Sequence, residues 1–97
     1  MEKVWLKSYE PGVPVSIEEE INQYDSIMQM IEESIAKFNT LEAFNCMGKG
    51  LTFQEVDELS LKFASYLQNT LKLNKGDRVA IMMPNIFQYP IALLGVL

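Results

Sequence analysis

Four groups of residues in this 97-residue chain are of types that chemistry uses. Glu18-Glu19-Glu20 offers three carboxylates, the donor set a hard cation takes. Consecutive residues point in different directions in a helix and to opposite faces in a strand, so the three read as a solvated face. Glu55, Asp57 and Glu58 suggest paired acids for proton transfer. Glu55, however, stands three residues after Thr52, where the acid of a capping box belongs, and its neighbours fall on the polar side of the same helix. Cys46 is the single cysteine, and the chain has no histidine to activate it as a nucleophile, so it reads as a packed thiol. Gly48-Lys49-Gly50-Leu51-Thr52 resembles part of a phosphate loop. That loop needs its first glycine well ahead of the Gly-Lys-Ser/Thr so that successive backbone N–H groups surround phosphate, and the spacing here gives a hairpin turn instead.

The elements that carry these residues follow from periodicity and from start and stop signals. Ser26 followed by Gln29 is a capping pattern, and Ile27, Ile31, Ile35 and Phe38 recur at helical spacing, which predicts a helix over about 26–39. Residues 42–47 and 51–53 flank Gly48 and Gly50, as two short strands joined by a turn would. Thr52-Phe53-Gln54-Glu55, with Leu51 and Val56 placed as a hydrophobic staple, opens a second helix. Val56, Leu59, Phe63 and Leu67 predict that it runs over about 53–71.

After the turn Leu73–Asp77 comes Val79–Met83, an unbroken apolar run stopped by Pro84. A continuous run needs cover above and below, so it predicts a central strand of a parallel sheet with the 53–71 helix on one face. Asn85 is placed to cap a last helix whose start depends on Pro90, harmless in the first turn and a kink further in. Trp5, Tyr9, Pro11, Gly12 and Pro14 break both periodicities, so residues 1–24 are expected to form an arm and residues 25–97 a partial α/β domain.

Eight Lys and Arg against thirteen Asp and Glu give a net charge of -5, which argues against nucleic acid as a partner. The first residues lack the apolar core of a secretory signal, and no stretch approaches the roughly 20 apolar residues of a membrane-spanning helix, so a cytoplasmic protein is expected. The chain stops inside the apolar Ile91–Leu97, which suggests a piece of a longer protein. An open sheet edge and an uncovered Ile91–Leu97 would also favour a homo-oligomer.

Leu51-Thr52-Phe53-x-Glu55, Ser60, Ala64, Leu67, Lys75-Gly76-Asp77-Arg78-Val79-Ala80-Ile81-Met82-Met83-Pro84-Asn85 and Tyr89-Pro90 together resemble the start of a bacterial long-chain fatty acid:CoA ligase, of the acyl-adenylate-forming superfamily. Lys3-Val4-Trp5-Leu6 and Val13-Pro14 extend the resemblance over the whole chain. It implies an α/β fold, the N-terminal fragment of a large domain with a short parallel sheet covered by helices. For the parent enzyme it implies ATP, Mg2+ and CoA, a fatty acid substrate, an acyl-adenylate intermediate, and a cytoplasmic place with peripheral association at the inner membrane. The elements that perform this chemistry in the family are a Ser/Thr/Gly-rich phosphate loop, an adenine-binding segment, an acidic hinge and a C-terminal lysine. None lies within residues 1–97, so no catalytic, cofactor-binding or metal-binding residue is assigned here, and the segment is expected to be scaffold without activity of its own. Two alternatives stay open: an adenylating enzyme for another acid, and a small α/β interaction module without chemistry.

Overall fold

The computed structural model describes residues 1–97. Its organising element is α3 (Phe53–Asn69), preceded by α1 (Glu18–Ile21), α2 (Ile27–Phe38) and the hairpin β1 (Glu42–Cys46) and β2 (Lys49–Thr52), and followed by α4 (Gln88–Val96). Helix α3 starts where the sequence places it. The Thr52 hydroxyl accepts from the Glu55 N–H at 3.2 Å and the Glu55 carboxylate accepts from the Thr52 N–H at 3.1 Å, a complete capping box. Two more N–H groups of the first turn are satisfied from outside the helix, Phe53 donating to the Leu41 carbonyl and Gln54 to the Asn39 carbonyl, each at 3.0 Å. The exit of α2, both strands and the entry of α3 therefore meet at one point, where the Phe38 and Phe53 rings lie 6.4 Å apart.

Helix α2 begins at its expected cap, with the Ser26 hydroxyl accepting from the Gln29 N–H. The Gln29 side chain reaches one residue further back than a capping box requires and accepts from the Asp25 N–H at 2.7 Å.

The strands pair antiparallel, Cys46 opposite Lys49 and Phe44 opposite Leu51, with a register shift between Glu42 and Phe44. The two loop residues Met47 and Gly48 have φ of 53° and 84°, the double positive φ that a two-residue hairpin of the right twist demands. This hairpin is the whole sheet, which corrects the expected parallel sheet. Residues 78–84 form no strand, because none of their N–H groups and, before Pro84, none of their carbonyls makes a backbone hydrogen bond. A strand exists only with a ladder neighbour, and apolar composition alone does not provide one. Nor is the run buried on both faces: Ile81 and Met83 are half-buried while Met82 is 94% exposed.

Helix α3 packs against α4. The buried seam on α3 is Val56, Ser60 and Leu67, facing Ala92 of α4. Leu59, expected inside, is exposed, and Ser60 takes the inner place with its hydroxyl donating to the Asp57 carbonyl at 2.9 Å. Small residues explain the exchange. A Cβ on Gly95 would lie 2.8 Å from the Phe63 ring and 3.0 Å from the Ser60 carbonyl oxygen, so the two helices approach through positions where bulk is missing. Helix α4 starts at Gln88 without a side-chain cap from Asn85, and Pro90 is its third residue, where the missing N–H has no intrahelical acceptor to lose.

The N-terminal region is not a plain extended arm. It holds a 3-10 turn at Val4–Ser8 and the short α1, neither packed against another element. The whole chain exposes 8261 Å², whereas a compact monomer of this length exposes about 5,700 Å². Its radius of gyration is 17.6 Å, against about 12.5 Å for a compact domain. One helix pair and one hairpin cannot enclose more than the four residues Val56, Ser60, Leu67 and Ala92.

The α3–α4 seam makes a prediction. Gly95→Ala gains about 1 kcal/mol of helix propensity but forces an overpacked contact costing about 1–3 kcal/mol. The urea midpoint should fall with an unchanged m-value; an equal or higher midpoint would show that the helices do not meet through Gly95.

Candidate functional site

The residues whose types suggested chemistry are held apart. Glu18, Glu19 and Glu20 lie on the exposed four-residue α1, and the Glu20 carboxylate accepts from the Gln23 side chain at 3.1 Å. Glu55 is engaged at the start of α3, and Glu58 accepts from the Gln54 side chain at 3.2 Å. No group of three His, Cys, Asp or Glu residues is placed to hold a metal ion. Gly48-Lys49-Gly50 is the tip of the hairpin and the start of β2, where Lys49 pairs with Cys46, so its N–H groups serve a ladder instead of surrounding an anion.

The Lys75-Gly76-Asp77-Arg78 motif has a definite architectural role. The Asp77 N–H donates to the Asn74 carbonyl at 3.0 Å, and the Asp77 carboxylate accepts from the Asn74 N–H at 2.8 Å. Gly76, third in this turn, has φ of 97°, a conformation that a side chain disfavours. Lysine, glycine and aspartate thus reverse the chain between α3 and the 78–84 run. A cleft of about 410 Å³ lies beside the turn, between it and the ends of α3 and α4.

A second concavity, about 430 Å³, separates β1 from the start of α4. Phe44, Cys46, Ile86, Phe87, Pro90 and Leu93 line it, and no charged residue does. Such a wall can shelter apolar matter, and its polar side chains are the amides of Asn45 and Asn85 and the phenol of Tyr89. Sequence periodicity did not mark this groove, because its sides come from elements 40 residues apart. The available signal was α4 itself, Gln88–Val96, in which only Gln88 carries a strongly polar side chain.

The comparisons with known proteins agree with one another. The model of the AMP-binding enzyme family matches residues 31–97. The chain is similar to a long-chain-fatty-acid--CoA ligase of Yersinia pestis, 50% identical over 97 residues, which is 100% of this chain and 17% of that protein. The same kind of ligase from Escherichia coli O157:H7 is 48% identical over the same length, again 17% of that protein. The ligase of Bacillus subtilis (strain 168) is 38% identical over 96 residues, 99% of this chain and 16% of that protein. No solved structure matches the chain.

The turn gives a prediction of its own. Gly76→Ala should cost at least about 1 kcal/mol, because alanine is strained at that φ, and it should speed exchange of the Asn74 amide. Unchanged stability and exchange would mean that the Asn74–Asp77 turn is not what holds the reversal.

Proposed function

The chain belongs to the AMP-binding enzyme family, and from that premise we propose that it forms the opening part of the large domain of a long-chain fatty acid:CoA ligase. The carrying observation is identity of 50% and 48% along the entire chain to ligases of that description, in two organisms. In this reading the whole protein uses ATP to activate a fatty acid and passes the acyl group to CoA. Residues 1–24 are an arm, and residues 25–97 begin the large domain. The complete enzyme works in the cytoplasm with peripheral contact at the inner membrane. No helix here is long and apolar enough to cross a membrane.

The role of these residues is support. Transfer of this kind depends on charge stabilisation at the reacting phosphate and on positioning of a weak nucleophile. No group of three carboxylates comes together in these residues, and their one Gly-Lys-Gly segment is committed to a hairpin. They supply a corner, built by the α3 capping box and the α3–α4 seam, on which later parts of a ligase can rest.

A chimera tests this. The 97 residues should replace the aligned segment of the Escherichia coli O157:H7 ligase and leave ATP- and CoA-dependent conversion of a long-chain fatty acid within about tenfold of the parent, the loss of about 1.4 kcal/mol that a scaffold exchange can absorb. The isolated chain should form no acyl-CoA and exchange no pyrophosphate into ATP. A folded but inactive chimera would sink the ligase reading, and turnover by the isolated chain would sink the scaffold role.

A further inference from the structure

Between Arg78 and Met83 no N–H group and no carbonyl makes a backbone hydrogen bond, yet the side chains are those of a strand. Val79-Ala80-Ile81-Met82-Met83 is apolar throughout, and Val79 and Ile81 are β-branched. Exposure alternates as it does along a half-covered strand, with Ile81 and Met83 half-buried and Ala80 and Met82 exposed. A row of free donors and acceptors on such a run is a template for another chain.

The order of the residues points to a second copy as that chain. Paired antiparallel about Ile81, the run is self-complementary. Ile81 stands opposite Ile81, Val79 opposite Met83, and Ala80, the smallest side chain of the run, opposite Met82, which is 94% exposed. If the two Ile81 residues exchange both of their N–H···O bonds, the ladder alternates outward from them: Val79 and Met83 form bonded pairs, and Arg78 and Pro84 form a pair whose backbone groups turn away from the partner. Pro84 has no N–H to lose at that place, and the partner does not need its carbonyl, which accepts from the Ile86 N–H at 2.9 Å.

Charge selects the same direction. Lys75, Asp77 and Arg78 precede the run, and no residue from 79 to 97 has a charged side chain. Parallel pairing in register would set Asp77 against Asp77 and Arg78 against Arg78, whereas antiparallel pairing puts them at opposite ends of the ladder.

We propose that residues 78–84 are an interface between two copies of this chain, joined by a symmetric antiparallel ladder centred on the Ile81–Ile81 pair. The inference concerns the 97-residue chain itself and does not rest on the ligase reading.

Sedimentation of the chain from about 1 μM to about 1 mM should show a reversible monomer–dimer equilibrium, and a carbon-13 label on the Ile81 carbonyl should give the infrared band of a coupled antiparallel ladder in the dimer alone. Ile81→Pro removes the N–H of the central bonded pair and should weaken dimerisation at least about a hundredfold. Met82→Pro removes one that turns outward and should weaken it less than about tenfold. Neither N–H is bonded within the chain, so the helical circular dichroism of both variants should match the parent. Ala80→Lys with Met82→Lys sets like charges across the ladder and should cost about tenfold, while Ale80→Glu with Met82→Lys should keep the parent affinity. A monomer throughout the range overturns the proposal, as does a dimer indifferent to Ile81→Pro. Equal losses from the two proline variants, or from the two charge combinations, overturn the register and the proposal with it.

Discussion

The first turn of α3 is the constraint from which the other contacts follow. A helix begins with N–H groups that have no intrahelical acceptor, and here Phe53, Gln54 and Glu55 find theirs in the Leu41 carbonyl, the Asn39 carbonyl and the Thr52 hydroxyl. Each such bond contributes only about 1 kcal/mol net. Their joint effect is geometric: the segment between α2 and β1 is held against the helix start, and Thr52 ends β2 while capping α3. The direction of α3, and with it the side on which α4 can pack, is set at that junction.

Local chemistry made these features readable in the sequence. A capping box, a staple and a glycine turn act within four residues, so Ser26, Thr52 and Gly48 announce their roles without knowledge of the rest. Features that depend on distant neighbours were misjudged. Val79–Met83 has the composition of a buried strand, but a ladder depends on a partner that composition does not specify. The α3 stripe was expected through Leu59 because periodicity weighs hydrophobicity; Ser60 won because α4 comes close enough to leave room only for a small side chain. Asn85 has the side chain of a cap, yet the helix starts at Gln88, beyond its reach. The groove beside β1 was illegible for the same reason as the strand, since its walls are joined only by the fold.

The carboxylates show how position empties a chemical signal. Glu55 is spent on a backbone N–H, while Glu20 and Glu58 accept from the glutamine side chains Gln23 and Gln54, three and four residues away. Acids that serve their own helices cannot converge on a substrate.

The connection from Asn69 to Gln88 has a kinetic meaning. It is 18 residues long, and its part between Arg78 and Met83 makes no backbone hydrogen bonds. The Asn74–Asp77 turn folds part of it back, and even a fully flexible chain of that length would span only roughly 20–25 Å, an effective concentration of α4 at α3 on the order of millimolar. Helix α4 thus stands to the hairpin–α3 unit as a tethered ligand does, held by this connection and by the α3–α4 seam. Opening of that seam would be sub-global, with the occupancy of the tethered helix set by how well Ala92 and Gly95 fit Ser60 and Phe63.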